Sequence, residues 1–323
     1  MSEIYKTITD KILAQLDAGT VPWKKDWDAQ KLGFAKNVVS GDPYQGTNFL
    51  MLNFIEQYQS PLWMTYKQAQ DLGGTVRKGE HSSKVIYFKL LEKTDRAGNL
   101  VKNSNGETAR IPMIRYANVF NHSQTEGVPV PEKFQKLIPN DTRTPIQRAD
   151  EIIQKFPIGI KHGFTGASFH PQADHIEMPN QATFSTPEHY YHTLFHEMTH
   201  ATGHPKRLNR DLSGKYGSAS YAKEELIAEI GSCFLAAEAG LDKTIPLENS
   251  ASYIDHWRKE LSKDPKLIVQ AASEAQKSTN FILGRGFKSE ADPCIESEKP
   301  GVKPLKWIDA PVRDSKQIRK MSL

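Results

Sequence analysis

The pattern of apolar positions changes near Ile146, which divides the chain into two halves. In the first half, apolar residues three and four positions apart predict an amphipathic helix over Ser2–Ala18, and an apolar run predicts another over Phe49–Tyr58. The segments SKVIYFKLLEK and RIPMIRYANVFN have the composition of strands, and the turn-rich segment TDRAGNLVKNSNGET joins them. The first half is therefore predicted to mix helices with strands.

The second half is predicted to be mainly helical with a small sheet. A helix is expected over Ala149–Phe156, and GASFHPQADHIEMP predicts two short strands around a turn at Pro171–Asp174. The fold class is therefore α+β, with a first domain over residues 1–130, a linker over 131–145, a second domain over 146–285 and a weakly ordered polar tail over 286–323. Four longer helices are predicted over Pro187–Thr202, Tyr221–Ala239, Ile254–Ser262 and Lys266–Ile282.

Composition narrows the class of protein without naming a function. The chain has 323 residues, of which 25% are charged, and no apolar run approaches the roughly 18 residues of a membrane span. Its two cysteines cannot form a disulfide framework. We therefore expect a cytoplasmic protein with no membrane partner. A net charge of +4 permits an acidic partner such as nucleic acid but does not identify one.

The segment HEMTH carries the clearest candidate chemistry. Thr186 and Pro187 are typical of a helix start and Gly203 of a helix end, so His196 and His200 lie one turn apart on the same helical face. Two imidazoles in that arrangement suit a zinc ion, and Glu197 is placed to act on a metal-bound water. The alternative is a helix that carries two histidines by chance.

Neighbouring histidines make other ligand pairs conceivable. His192 and His204 extend the same four-residue spacing, but only the pair formed by His196 and His200 has a carboxylate directly after its first member. His204 is also a rival third ligand, although it lies beyond the helix-ending Gly203. The central pair is therefore the predicted one.

A downstream helix offers the third ligand. Glu229 is the only charged residue between Leu226 and Ala237, so it is expected to be buried and to need a metal ion or another strong partner. Glu225 lies one turn earlier on the same face, and the small residues Ala228 and Ser232 would let another helix approach closely. A salt bridge between helices is the alternative use of Glu229.

HEMTH followed by EELIAE resembles the zincin metallopeptidases whose third ligand is a glutamate. That resemblance implies Glu225 as the ligand and Glu229 as a support, whereas the burial argument narrowly favours Glu229. It also implies that a peptide substrate pairs with Asp174–Met178 as an edge strand. Tyr216 and Tyr221 are candidate oxyanion donors.

The first half interleaves aromatic and basic residues in a way that suits single-stranded DNA, whose bases stack on rings while lysines contact phosphates. Most of these rings also suit a hydrophobic core, and lysines commonly mark a solvated face, so the composition does not decide between the two. The glycine turn GGTVRKGE is the strongest candidate phosphate contact. The predicted DNA contacts are Trp23, Lys24, Lys25, Trp27, Tyr44, Lys67, Arg77, Lys78 and Lys84.

The segments WKKDW, PYQGTNFLML, WMTYKQAQDLGGTVRKGE and YANVFNHSQTEG resemble the N-terminal domain of the ArdC antirestriction proteins of conjugative plasmids, a module that also begins some plasmid primases. The resemblance implies single-stranded DNA binding and protection of incoming plasmid DNA from host restriction. With Zn²⁺ or another divalent ion such as Mn²⁺, the protein would cut a protein near that DNA, such as part of the restriction system. The alternative is a non-enzymatic DNA-coating protein whose metal site is structural.

Overall fold

The computed structural model describes residues 2–19, 21–22, 33–56, 58–95, 97–103, 106–135, 142–215, 217–241 and 250–286. Several predictions from the sequence fall outside these ranges. They concern the DNA contacts Trp23, Lys24, Lys25 and Trp27, the oxyanion candidate Tyr216, and the polar tail beyond residue 286.

The first half is built around a four-stranded sheet, whose strands in spatial order are β1 Lys36–Asn37, β2 Leu62–Thr65, β5 Arg110–Asn121 and β4 Ser83–Glu92. The two predicted strands are confirmed as an antiparallel pair, β4 and β5. The predicted second helix begins earlier than expected and ends at Ile55, because an α-helix over Gly46–Leu50 continues into a π-helical turn over Met51–Ile55. The elements are α1 Ser2–Asp17, β1 Lys36–Asn37, α2 Gly46–Leu50, β2 Leu62–Thr65, α3 Tyr66–Asp71, β3 Thr75–Val76, β4 Ser83–Glu92, β5 Arg110–Asn121, β6 Thr125–Glu126 and α4 Glu132–Gln135.

The second half has five α-helices among its described residues and a three-stranded sheet, whose strands in spatial order are β7 Gly159–His162, β9 His175–Met178 and β8 Ser168–His170. This arrangement confirms the α+β class. The predicted helices are all present, with ends that differ by a few residues. The elements are α5 Pro145–Lys155, β7 Gly159–His162, β8 Ser168–His170, β9 His175–Met178, α6 Pro187–Thr202, α7 Ala219–Ala239, α8 Ser250–Lys263 and α9 Leu267–Ile282.

The prediction that Asp174–Met178 is an edge strand is wrong. Its strand, β9, pairs in parallel with β7 on one side and antiparallel with β8 on the other, so it lies at the centre of the small sheet. The sequence predicted only β8 and β9, because GIKH in β7 lacks a strong strand pattern. The edge strands of this sheet, with which a peptide would pair, are therefore β7 and β8.

One hydrophobic cluster contains residues of both halves. The apolar stripe of α1, which includes Ile8, and the aromatic Phe49 of α2 belong to the same buried cluster as Phe234 of α7 and Trp257 of α8. The rings of Phe49 and Phe234 lie 4.6 Å apart, in an edge-on arrangement. The helix α1 packs against α8 of the second half, and the division of the chain into residues 1–130 and 146–285 stays a prediction from the sequence.

A polar contact joins the halves as well. The backbone N–H of Gly46, at the start of α2, donates to Gln276 Oε1 of α9 over 2.9 Å, in a buried setting. Within the described residues, no helix has both the length and the apolar character that a membrane span requires.

Candidate metal centre

The helix α6 presents the two histidines of HEMTH on one face. Its start is fixed as predicted, since Thr186 Oγ1 accepts a hydrogen bond from the His189 N–H and Pro187 occupies the first turn. The Nε2 atoms of His196 and His200 lie 3.0 Å apart, so both rings turn the same nitrogen towards one point. A carboxylate at that point would complete a set of three metal ligands.

The helix α7 approaches α6 closely at Gly231. A Cβ atom added there would lie 2.6 Å from Thr199 Cγ2 of α6, which is closer than real side chains pack. The sequence predicts Ala228 and Ser232 as the small residues that permit such an approach. The structure adds Gly231, whose missing side chain brings the carboxylates of α7 to the histidines of α6.

Glu225 is the carboxylate that faces both imidazoles. Its Oε2 lies 3.5 Å from His196 Nε2, and its Oε1 lies 3.6 Å from His200 Nε2. One ligand atom from each of these three residues lies within 4.8 Å of the others, and no further group of three such ligands is found in the described parts of the chain. The donors are thus already gathered around one point.

Glu229 lies beside this group, on the outer side of His196. Its Oε1 is 3.9 Å from Nδ1 of His196, which is the ring nitrogen that faces away from Glu225. The preference for Glu229 assumed that it is the more deeply buried carboxylate. That assumption is wrong, because its side chain is 27% exposed whereas that of Glu225 is 12% exposed.

A third carboxylate of α7 orients the second histidine. Glu224 Oε1 lies 3.1 Å from His200 Nδ1, and Arg210 donates to both oxygens of Glu224, over 3.0 and 2.7 Å. The guanidinium of Arg210 also donates to Thr202 Oγ1 and to Ser278 Oγ. This chain of contacts fixes the ring of His200 with its Nε2 towards Glu225.

The sequence did not reveal Glu224 or Arg210. Glu224 directly precedes Glu225, at the start of the apolar stretch of α7. A third carboxylate in that position is the one feature of the sequence that could have indicated its role. Arg210 follows α6 in an irregular segment and carries no spacing signal. Gly203 leaves room for it, because a Cβ atom there would lie 3.1 Å from the Arg210 Nη2.

The gathered carboxylates make the centre attractive to a cation. Burial by itself lowers the pKa of His196, but the hydrogen bond with Glu225 and the charges of Glu229 and Glu197 together raise that pKa to about 9. Burial also opposes ionisation of Glu225, yet its contacts with His196, His200 and Tyr221 hold its pKa below the ordinary value. The raised pKa of His196 reports the negative charge of the carboxylates around it, whereas the lowered pKa of Glu225 reports the imidazoles and the hydroxyl that stabilise its anion.

Burial raises the pKa of Glu224, but His200 and Arg210 outweigh that effect and lower it. Glu197 is also buried, at 8% exposure, and it directly follows His196 in the chain. Tyr221 hydrogen-bonds to Glu225, which makes it a support for that carboxylate. This contact gives the predicted oxyanion role of Tyr221 no support.

The other two histidines of the stripe lie outside the group of metal ligands. His204 packs edge-on against Phe169 of β8, and its Nδ1 accepts the backbone N–H of Lys206. His192 is buried and belongs to no ligand group in the part of the chain that is described. The structure therefore gathers His196 and His200 with Glu225, and not with His204.

The predicted DNA contacts are spread over different environments. Tyr44 is buried among apolar residues, including Trp63, so its ring is closed to a stacking base and that prediction loses its physical basis. Lys67, Arg77 and Lys78 are exposed. Arg77 donates to Glu80 and to the backbone carbonyl of Thr125, and Lys84 lies half-buried over an aromatic ring.

The comparisons with known proteins agree with this architecture. Residues 2–120 match the family model of the N-terminal domain of the anti-restriction factor ArdC, and residues 147–274 match that of a zincin-like metallopeptidase. The metal-free crystal structure of the antirestriction protein ArdC from plasmid R388 aligns with a TM-score of 0.68 and 36% identity, over 86% of this chain and 96% of that one. The chain belongs to the ArdC family of antirestriction proteins.

Further similar proteins also align over most of this chain. The Mn(II)-bound structure of the same ArdC protein aligns with a TM-score of 0.68 and 34% identity, over 87% of this chain and 97% of that chain. The protein y4eC of Sinorhizobium fredii is 34% identical over 87% of this chain and 92% of its own length. A DNA primase TraC of Escherichia coli is 36% identical over 86% of this chain, which spans 27% of the primase.

Proposed function

We propose that this ArdC-family protein is a metal-dependent peptidase whose divalent ion is held by His196, His200 and Glu225. The proposal rests on the convergence of three ligand atoms within 4.8 Å of one another. Two imidazole nitrogens and one carboxylate oxygen form a donor set that both Zn²⁺ and Mn²⁺ accept. The Mn(II)-bound ArdC relative supports a divalent ion of this kind.

The number of ligands favours catalysis over a structural role. Structural zinc sites commonly use four protein ligands, whereas catalytic sites use three and keep one position for water or substrate. Among the described residues, the gathered set has three members. An ion bound there would act as a Lewis acid and lower the pKa of its water.

The residues around the ligands have separate tasks in this proposal. Glu197 takes a proton from the attacking water and returns it to the leaving amine, because it lies next to His196 and outside the ligand set. Glu224 and Glu229 face the Nδ1 atoms of His200 and His196, which leaves both Nε2 atoms as the metal-facing nitrogens.

We further infer that the first half binds single-stranded DNA and so brings the peptidase to its substrate. The match to the ArdC N-terminal domain and the exposed Lys67, Arg77 and Lys78 support this inference. The substrate would be a protein close to incoming DNA in the cytoplasm, such as a component of the host restriction system or another DNA-bound protein. Its cleavage, or its exclusion from the DNA, would protect that DNA.

The second candidate is a protein that coats single-stranded DNA and keeps a metal ion only for stability. Retention of a buried Glu197 next to His196 favours the enzyme, since a purely structural site requires ligands but no base. The two functions predict different results for the substitution Glu197→Gln, which removes the base and keeps the ligands.

The test compares wild type, Glu197→Gln and the matched control Glu188→Gln on the same helix. Three quantities would be measured for each protein. They are the metal content, the cleavage of a denatured-protein mixture in the presence of oligothymidylate and Mn²⁺ or Zn²⁺, and the evasion of restriction in conjugation. The peptidase proposal predicts that Glu197→Gln keeps its metal and loses both protein cleavage and evasion of restriction. Full evasion by Glu197→Gln would favour the DNA-coating function.

A further inference from the structure

One face of the four-stranded sheet carries aromatic residues that its core does not use. Lys84 lies opposite Asn118 and Ile86 lies opposite Tyr116 in the register of β4 and β5, so these four side chains share a face. Ile86 is buried in the cluster that contains residues of both halves. Tyr116 is 51% exposed, and Lys84 Nζ lies 5.2 Å from the centre of its ring.

The opposite face of the same strands is largely buried, although Arg115 is exposed on it. Val85, Ala117 and Val119 are buried there together with Trp63 of β2. The face that carries Tyr116 is itself partly packed, because Ile86 and Ile114 on the same face are buried. Tyr116 lies next to these positions and is nevertheless exposed, so its ring is accessible to a partner at the edge of the packed region.

A second exposed tyrosine continues this aromatic surface. Tyr66 begins α3, directly after β2, and is 48% exposed. Its ring lies 6.4 Å from that of Phe120, which is four residues beyond Tyr116 on β5 and faces the same side. Lys67, next to Tyr66, is exposed. The surface formed by Tyr66, Phe120, Tyr116, Asn118, Lys67 and Lys84 is named the tyrosine strip.

We propose that the tyrosine strip is the surface on which single-stranded DNA lies, an inference that rests on the proposed DNA binding of the first half. Stacking rings beside lysines are what sequence-tolerant binding of a single strand requires. The strand positions from Lys84 to Ile86 and from Tyr116 to Phe120 on this face hold no carboxylate that would repel phosphates.

The length of the strip sets the number of bases that it holds. Tyr116 and Phe120 are four positions apart on β5, which corresponds to about 14 Å of antiparallel strand. At the roughly 3.4 Å per nucleotide of one strand of B-DNA, that length corresponds to about four nucleotides. Duplex DNA is a poor fit, because its base faces are already stacked and closed to the rings.

The experiment measures binding of a labelled oligothymidylate, and of the matching duplex, to the full-length protein. The variant Tyr66→Ala/Tyr116→Ala should bind the single strand about 10-fold or more weakly, with an unchanged dependence on salt, because stacking releases no counterions. Lys84→Ala should reduce the slope of log K against log salt by about 0.7. The control Phe164→Ala, an exposed aromatic residue of the second half, should bind as wild type does.

The outcomes separate the strip from DNA binding in general. If wild type prefers the single strand and the double variant binds it as tightly as wild type does, the assignment of the tyrosine strip is wrong, while the proposed DNA binding stands. If wild type shows no preference for single strands, both the strip assignment and the proposed binding of single-stranded DNA are wrong. If the double variant fails to fold, photocrosslinking of wild type to iodouridine-containing DNA decides: adducts on Tyr66 or Tyr116 support the strip, and adducts confined to other residues overturn it.

Discussion

The guanidinium of Arg210 donates to both carboxylate oxygens of Glu224, over 3.0 and 2.7 Å. Glu224 in turn lies 3.1 Å from Nδ1 of His200. Arg210 is almost fully buried, with its side chain 7% exposed. A buried pair of charges with several additional hydrogen bonds holds its geometry firmly, so the position of His200 is set by a residue that lies outside the ligand group.

We predict that Glu224→Gln weakens metal binding about 10- to 100-fold, as substitutions behind metal-binding histidines commonly do. Arg210 donates to both carboxylate oxygens, and in glutamine one of those oxygens is replaced by an NH₂ group, which cannot accept a hydrogen bond. Titration with Mn²⁺ would measure the affinity. The control is Glu238→Gln on the same helix, where the partner Arg285 is exposed and no histidine ring depends on the carboxylate. Equal loss in both variants would show that the effect is not specific to Glu224.

The second prediction concerns the contact between α6 and α7. Gly231→Ala should destabilise the protein by about 1 to 3 kcal/mol, because the new methyl group overlaps the side chain of Thr199. Thermal unfolding of the metal-free protein would measure the loss. The double variant Gly231→Ala/Thr199→Ala should recover part of it, since Cγ2 and Oγ1 of Thr199 are the atoms nearest to the added group. Strictly additive losses would argue against this contact.

The third prediction uses the ion pair between Asp174 and Arg207, which ties the β8–β9 turn to the segment after α6. The hydrogen bond from Arg207 lowers the pKa of Asp174, so the pair adds stability above the unfolded pKa and loses it as the pH falls through the folded pKa. Asp174→Asn should therefore melt earlier than wild type near neutral pH, and the difference should shrink as the pH falls from about 4 towards 2.

Asparagine suits this test because Asp174 has a φ of +49°, a conformation that asparagine tolerates well. The control is Asp10→Asn, which removes an exposed pair with Lys6 within α1 and should change the melting temperature little at any pH. A constant difference between Asp174→Asn and wild type across the acid range would contradict the assigned role of the charge.

Local signals in the sequence predicted the boundaries of α6 and its histidine face well. Thr186 and Pro187 fix the start of that helix through neighbouring backbone groups, so no distant contact is needed to read them. The relative burial of Glu225 and Glu229 could not be read in the same way. Both lie on one face of α7, and the rotation of α7 against α6, set by Gly231 and Thr199, decides which carboxylate turns inward.

Long-range pairing explains the other differences from the sequence-based predictions. The strand β9 became central because β7 pairs with it from a separate part of the chain, and GIKH gives little warning of a strand. Tyr44 is an aromatic residue of the kind that stacks on DNA bases, yet it packs into the same core cluster as Trp63. The apolar stripe of α1 predicted a helix correctly but could not reveal that the helix packs against α8 of the second half.

The central claim is that His196, His200 and Glu225 hold one divalent ion, and the metal content of Glu225→Gln and Glu229→Gln after dialysis against Mn²⁺ tests it most directly. Glu225 faces both Nε2 atoms, so Glu225→Gln should lose most of the metal that wild type retains. Glu229 reaches only Nδ1 of His196, so Glu229→Gln should keep one ion per chain, bound more weakly. Full occupancy in Glu225→Gln together with loss in Glu229→Gln would contradict the assignment.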